Sequence, residues 1–335
     1  MRIISGIQPT GPLHIGNYLG TITNWLKLQD EKENECFFFI ADYHSLTEDF
    51  NPKEKYHQIL ELGAELLALG INPKKSILFI QSQVPQVTEL AWIFNCLAPI
   101  AFLERMTQFK DKAQRQRENI NAGLFTYPVL QAADILIYHG EVVPVGKDQV
   151  QHIELTCDIV RFFNNKFGEY FKKPKALLTA TPKVMSLLEP EKKMSKSLGK
   201  DHCIFLSDSP AEIERKIKKA VTDIGPQLHN SSNAKEKMSH GVENLFLLLK
   251  HFGNKKDIQK FENDYLNATI KYSELKTVLA KRITDYFSDF RSKKEELLKK
   301  PEKVLEIYLK GSKKAALIAS KTLKEIRTRI GLDKL

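Results

Sequence analysis

The stretch His14-Ile15-Gly16-Asn17 follows a glycine- and proline-rich turn, Gln8-Pro9-Thr10-Gly11-Pro12-Leu13, which itself follows the apolar run 2–7. Strand, turn and helix start in that order build the crevice where open parallel sheets bind nucleotides, because helix N-terminal N–H groups and the helix dipole favour phosphate. Gly16 lets the helix approach a purine or ribose with no side chain in the way. His14 can donate to phosphate or to a developing negative charge. A histidine after a turn is more often a plain surface or capping residue, and these four residues alone do not exclude that.

A second constellation lies far along the chain. Lys193-Met194-Ser195-Lys196-Ser197 sits between Pro190 and Gly199, which makes it a loop. Two lysines at i and i+3 with small hydroxyls between them form a cationic clamp suited to a pyrophosphate leaving group. A lysine- and serine-rich surface loop is the bland reading of those five residues. The two elements together, one after the first strand and the other at the end of an α/β region, are far more specific than either. They point to chemistry on the phosphates of a nucleotide.

A scaffold that could hold these groups is visible in the periodicity. Short runs rich in Ile, Val and Phe predict strands over 2–7, 36–42, 76–82 and 142–146. Amphipathic patterns between them predict helices over 17–33, 52–69, 86–97, 123–138 and 148–167; the second opens at Asn51-Pro52 and closes at Gly70. Strands alternating with helices at this spacing imply a parallel sheet with helices on both faces, a Rossmann-like α/β domain over 1–188. After Lys183 no strand pattern is evident. A helix over 210–221 starts after Ser209, and the remainder is helical and rich in Lys and Glu. We therefore expect an all-helical domain over 189–300 and a basic helical segment over 301–335. The polar stretch 229–237 reads as a mobile loop.

Composition bounds the class. Hydrophobic residues at 42% and charged residues at 27% describe an ordinary globular chain of two domains rather than a disordered one. Net charge is +10, and residues 291–335 carry 14 Lys/Arg against 6 Asp/Glu, so +8 of it lies there. Such a segment suits a polyanion, although a solvated helix face fits the charge equally well. Cys36, Cys96, Cys157 and Cys203 stand far apart with no C-x-x-C pair, which argues against a disulfide framework or a resident metal site and for reduced thiols in the cytoplasm. The first strand begins at Arg2, leaving no room for a signal peptide, and no apolar run approaches the roughly 18 residues of a membrane helix.

With His14-Ile15-Gly16-Asn17 and Lys193-Met194-Ser195-Lys196-Ser197 in this order, the chain resembles the class I aminoacyl-tRNA synthetases. The resemblance narrows to their bacterial-type tryptophanyl subfamily on further stretches: Ser5-Gly6-Ile7-Gln8-Pro9-Thr10-Gly11, Ala41-Asp42-Tyr43-His44-Ser45-Leu46-Thr47, Leu103-Glu104-Arg105-Met106-Thr107-Gln108-Phe109-Lys110, Gly123-Leu124-Phe125-Thr126-Tyr127-Pro128, Ala132-Ala133-Asp134-Ile135-Leu136 and Val143-Pro144-Val145-Gly146-Lys147-Asp148-Gln149. Matches continue past Lys219-Ala220-Val221-Thr222-Asp223, and the C-terminal part matches mainly in helical character.

The resemblance implies a tryptophan–tRNA ligase using ATP with Mg2+, and tRNA(Trp) as acceptor, in a cytoplasmic homodimer. It implies that Gln8, Pro9, Thr10, Gly16 and Asn17 surround the nucleotide together with Gly146, Lys147 and Asp148. The backbone near Val184 and Met194 would hold adenine, and Lys193, Ser195, Lys196, Ser197 and Lys112 the triphosphate, with His14, Lys193 and Lys196 catalytic. Around the amino acid it implies Gly6, His44, Tyr127, Gln131, Asp134 and Gln149. The residues themselves agree with part of this. Tyr127, Gln131 and Asp134 fall at i, i+4 and i+7, on one helix face. A carboxylate there is a poor core residue unless paired, and an indole offers one N–H donor that needs such an acceptor. A capping or salt-bridged aspartate is the other reading. Helical residues 189–300 and the basic tail would meet tRNA and read the anticodon.

Three departures from the subfamily stand out. The first motif ends in Asn17 rather than His, a variant that tryptophanyl members share. Position 131 is Gln where Met is common, and Tyr-x-x-x-Gln-x-x-Asp is also a tyrosine-pocket pattern. Cys157 replaces a common Arg. Competing readings are the tyrosyl enzyme of the same class, a small-molecule nucleotidylyltransferase, and an RNA-binding protein without activity. The Gly-Ile-Gln-Pro start and Val-Gly-Lys-Asp-Gln argue against the first; the length and the second lysine motif argue against the second. The intact lysines and Asp134 argue against the third. The segment Ala91-Trp92-Ile93-Phe94 fits either a subunit interface or a core helix.

Overall fold

Five short apolar runs pair side by side in the computed structural model, which describes residues 1–107, 120–178, 182–223 and 238–333. They are β1 (Arg2–Ile7), β2 (Glu35–Ile40), β3 (Ser76–Ile80), β4 (Val142–Val145) and β5 (Lys175–Leu178), in the spatial order β3-β2-β1-β4-β5. All pairings are parallel, with Arg2 opposite Glu35 and Ile7 opposite Ile40 along β1 and β2. The four expected strands are present. The expectation that carried no strand beyond β4 in the α/β part misses β5, a four-residue edge strand. Its Leu177 and Leu178 are exposed, so it lacks the buried, β-branched run that marks a central strand.

By internal packing the chain forms two compact units, and the grouping is not collinear with the sequence. The first comprises Met1–Gly11, Thr23–Ala180 and Glu296–Leu335; the second comprises Pro12–Ile22 and Thr181–Glu295. In the first unit the crossover helices are α2 (Thr23–Asp30), α3 (Pro52–Ala68), α4 (Gln86–Asn95), α5 (Ile100–Glu104), α6 (Ala122–Leu136) and α7 (Val150–Phe167), with α1 (Ile15–Asn17) assigned to the second unit. Asn51 caps α3 ahead of Pro52, as the sequence signals. Phe37, Phe79, Phe94, Tyr138 and Phe163 are fully buried in one continuous core around the sheet. On α4, Ala91 and Phe94 point into that core while Trp92 is 70% exposed.

The last helix of the chain, α13 (Pro301–Ile330), belongs to this first unit. Buried residues recur along it at Val304, Tyr308, Gly311, Ala315, Ala319, Leu323 and Ile326, a stripe at helical spacing. It covers edge strand β3. A Cβ at Gly311 would lie 1.7 Å from the Leu78 carbonyl oxygen, so only glycine permits this approach. Ser312 Oγ accepts the Ile80 N–H at 3.3 Å, giving a ladder donor at the sheet edge a partner. Arg327 forms a two-pronged pair with Glu89, both contacts at 2.6 Å.

The second unit contains α8 (Pro210–Lys219), α9 (His240–Phe252), α10 (Lys255–Leu266), α11 (Tyr272–Tyr286) and most of α12 (Ser288–Leu298). Between α1 and α2 the backbone widens into a π-turn over Tyr18–Ile22. Tyr18 there packs edge-on against Phe287 at 5.0 Å and shares a 2.7 Å hydroxyl contact with Tyr286. A π-turn inside a helical run often marks a functional segment. No helix among the described residues is long and apolar enough to cross a membrane.

Candidate functional site

Within the second unit, His14 caps the short helix α1. Its Nδ1 accepts the Asn17 N–H at 3.3 Å, and Asn17 Oδ1 accepts the His14 N–H at 3.1 Å, a reciprocal capping pair. Because Nδ1 is an acceptor, the neutral ring carries its proton on Nε2 and is a donor there. Burial, with the positive charges of Lys196 and Lys193 nearby, pulls the imidazole pKa down from 6.5 to about 3. His14 is therefore a neutral hydrogen-bond donor at physiological pH. A Cβ at Gly16 would meet the His14 ring at 2.9 Å, so glycine leaves room for that ring.

The lysine-rich loop is built as a short hairpin in the same unit. Met194 N–H donates to the Val184 carbonyl at 3.0 Å and Ser186 N–H to the Lys192 carbonyl at 2.8 Å. Asn244, on α9, grips the Met185 backbone with both ends of its amide: Oδ1 accepts the N–H and Nδ2 donates to the carbonyl, each at 2.9 Å. Val184 and Met194 are buried, Lys193 is exposed, and Lys196 opens a single 3-10 turn. Ser195 and Ser197 share a hydroxyl contact of 2.9 Å. The main chain also joins this region to the first motif, since Ile15 N–H donates to the Ile204 carbonyl at 3.0 Å. The two motifs that stand far apart in sequence thus share one packed unit. Their spacing could not reveal the Asn244 grip, because Asn244 sits in an ordinary amphipathic helix pattern.

In the first unit a different chemistry is concentrated. Asp134, on α6, is 2% exposed. Gln81 Nε2 donates to both of its carboxylate oxygens, at 2.8 and 2.9 Å, and His44 Nε2 lies 2.7 Å from Oδ2. Gln81 Oε1 accepts the Tyr43 N–H at 3.1 Å, so that amide has one possible orientation. Burial raises the Asp134 pKa, while the His44 and Gln81 hydrogen bonds oppose the rise. Beside it, Tyr127 Oη meets His152 Nε2 at 2.9 Å, and burial with the Asp148 charge pushes the phenol up to about 12. Gln131 is half-buried one turn before Asp134. Of the expected amino-acid residues, the fold brings His44, Tyr127 and Asp134 together. It adds Gln81 and His152, which had no motif around them.

The sheet order places its reversal between β1 and β4, where crevices open at strand C-terminal ends in such folds. The β1–β4 ladder pairs only Ile3 with Val142. Gly6 is the second-last residue of β1, Gln8, Pro9 and Thr10 follow its end, and Gly146, Lys147, Asp148 and Gln149 follow the end of β4. A Cβ at Gly6 would meet the Phe39 ring at 2.5 Å, and one at Gly146 would meet Asp148 Oδ1 at 2.6 Å. Gln149 Nε2 donates to Asp148 at 3.1 Å. Lys112, expected at the triphosphate, lies outside the described residues, as does the stretch 229–237. Cys157 is half-buried on α7, its thiol 3.5 Å from the Pro174 carbonyl. Among the described residues no cluster of carboxylates, histidines or thiols could hold a metal ion.

Comparison with known proteins identifies the family. The family model described as tRNA synthetases class I (W and Y) matches residues 1–288. A tryptophan–tRNA ligase of Clostridium tetani is 43% identical over 336 residues, covering 99% of this chain and 96% of its own length. One from Rickettsia felis is 44% identical, covering 98% of each chain. Among solved structures, tryptophanyl-tRNA synthetase of Campylobacter jejuni complexed with ADP and tryptophan superposes with a TM-score of 0.86 at 35% identity, covering 99% of this chain and 100% of that one. A tyrosyl-tRNA synthetase of Archaeoglobus fulgidus, at 22% identity and a TM-score of 0.66, shares the fold.

Proposed function

The chain belongs to the class I tRNA synthetases for tryptophan and tyrosine, in the bacterial tryptophanyl branch, and from that premise we propose which residues carry its reaction. The reaction is that of a tryptophan–tRNA ligase. A carboxylate oxygen of tryptophan attacks the α-phosphorus of ATP, pyrophosphate leaves, and the 3′-terminal ribose hydroxyl of tRNA then takes the acyl group, releasing AMP. No protein nucleophile is required. Catalysis rests on positioning and on donors aimed at charge developing on phosphate.

In this reading the His14 Nε2–H and the Lys193 and Lys196 ammonium groups hold the phosphates, assisted by Ser195 and Ser197. Val184 and Met194 offer backbone to adenine. Gln8, Pro9, Thr10, Gly16 and Asn17, with Gly146, Lys147 and Asp148, surround the rest of the nucleotide. Lys112 is assigned to the triphosphate on the resemblance alone. Magnesium enters as MgATP, bound by phosphate oxygens and water as is usual for this ion. Asp134 accepts the indole N–H. Tyr127 and Gln149 face the α-amino group, and Gly6, His44 and Gln131 line the pocket. Residues 189–300 and the basic segment 301–335 meet tRNA(Trp), by stacking on splayed anticodon bases and by charge on phosphates. A homodimer in the cytoplasm completes the proposal, with exposed Trp92 and Ile100 the apolar side chains that a second copy would cover.

The observation that carries the nucleotide assignment is that buried His14, capping its helix start, packs in the same unit as the loop bearing Lys193 and Lys196. Replacing Lys196 with alanine should lower tryptophan-dependent ATP–pyrophosphate exchange by about 2–4 kcal/mol of transition-state stabilisation while tryptophan binding stays nearly intact. Unchanged exchange would remove Lys196 from the phosphate clamp.

A further inference from the structure

We propose that Gln81 is a positioning residue for tryptophan recognition, fixing the orientation of the Asp134 carboxylate so that Oδ1 is presented to the indole N–H. The inference rests on the reading of Asp134 as the indole partner and deepens it.

Gln81 stands at the C-terminal end of β3, is fully buried, and begins a single 3-10 turn. Its amide cannot flip without loss. In the observed orientation Oε1 accepts the Tyr43 N–H and Nε2 donates to the carboxylate; reversed, an oxygen would face Asp134 and an NH2 would face a backbone donor. Its single NH2 group spans both carboxylate oxygens, which fixes the plane of the carboxylate as well as its rotamer. His44 Nε2 reaches Oδ2 only, at 2.7 Å. Against an ionised Asp134 that nitrogen must carry the proton. Oδ2 therefore receives two donors and Oδ1 one, among the described residues, and Oδ1 keeps a lone pair for a second.

The same donors favour the charged form of the group, against a burial effect that outweighs them. Three titratable groups act with Asp134 inside the fold: His44, which favours its ionisation, Asp42, which opposes it, and Tyr138, whose phenol its charge pushes further up. Burial also opposes ionisation, so the Gln81 donation works against both burial and the Asp42 charge. Removing Gln81 would let the carboxylate rotate and protonate at higher pH. A rotated or protonated group is a poorer acceptor for an indole N–H.

The test compares tryptophan with its benzothiophene isostere, which has sulfur in place of the N–H, in ATP–pyrophosphate exchange by the full-length chain. The parent protein should prefer tryptophan in kcat/KM; equal use of the two substrates would overturn the Asp134 reading itself, whatever Gln81 does. Given that preference, Gln81→Met should raise the tryptophan KM on the order of 10–100-fold, the loss of hydrogen bonding to a charged group. The isostere KM should move far less, and the acid limb of the tryptophan KM profile should shift to higher pH. Gln81→Glu puts a second carboxyl beside Asp134, so the tryptophan KM should rise with increasing pH as the shared proton is lost. Equal effects of Gln81→Met on both substrates, with no change in either pH profile, would overturn the proposal. So would loss of cooperative unfolding in both variants, which would make Gln81 a folding residue.

Discussion

His14 is both a helix cap and a neutral donor, and the two roles can be separated. In the unfolded chain its imidazole takes up a proton near 6.5, whereas in the folded chain burial and the neighbouring lysines delay that until about 3. Between those values the unfolded state binds more protons, so stability from this group is fully present above 6.5 and falls as pH drops toward 3. Asparagine is a good N-cap. His14→Asn should therefore keep the helix start at neutral pH and melt less steeply with acid, while losing the Nε2 donor and most pyrophosphate exchange. Thermal melts of both proteins from pH 7.5 to 4 check this. Parallel melting curves would show that the histidine is not held neutral by the fold.

At the scale of elements, the contacts around α13 make a sharp prediction. Gly311→Ala drives a methyl group against the Leu78 backbone, which cannot yield as a side chain would, and should cost about 3 kcal/mol or more. Ser312→Ala strips the Ile80 N–H of its partner and should cost about 1–3 kcal/mol. Urea titration measures both, and wild-type stability in Gly311→Ala would mean that the helix is not seated on β3. This docking also marks the limit of what could be read from sequence. Strands β1 to β4 and their helices were legible because buried apolar runs alternate with amphipathic ones. Strand β5 was not, being short, exposed and leucine-rich. The charge of residues 301–330 was legible, but the partner of its apolar stripe was not, since the spacing that buries Tyr308 and Ala315 fits any surface. Asp134 announced itself as a carboxylate in an apolar helix. Gln81 did not, because a glutamine at a strand end carries no signal until the fold sets it against that carboxylate.

For the whole molecule, charge and chemistry separate into two measurable quantities. Most of the +10 net charge lies in residues 291–335, and on α13 Lys303, Lys310, Lys314 and Lys321 fall along one exposed line of the helix. If that charge meets tRNA phosphates, the tRNA KM should rise steeply between about 50 and 200 mM salt, and Lys314→Glu with Lys321→Glu should flatten the slope by about one contact each. Pyrophosphate exchange needs no tRNA and should move little. A salt-insensitive tRNA KM would return those lysines to an ordinary solvated face. The amino acid is a separate matter, since the roles proposed for His14 and the Lys193 loop would serve activation of any amino acid, and Gln131 would lend the proposed pocket a tyrosine-like feature. Pyrophosphate exchange with each amino acid offered singly tests the account most directly. Tryptophan alone should support exchange; exchange with tyrosine instead would contradict it.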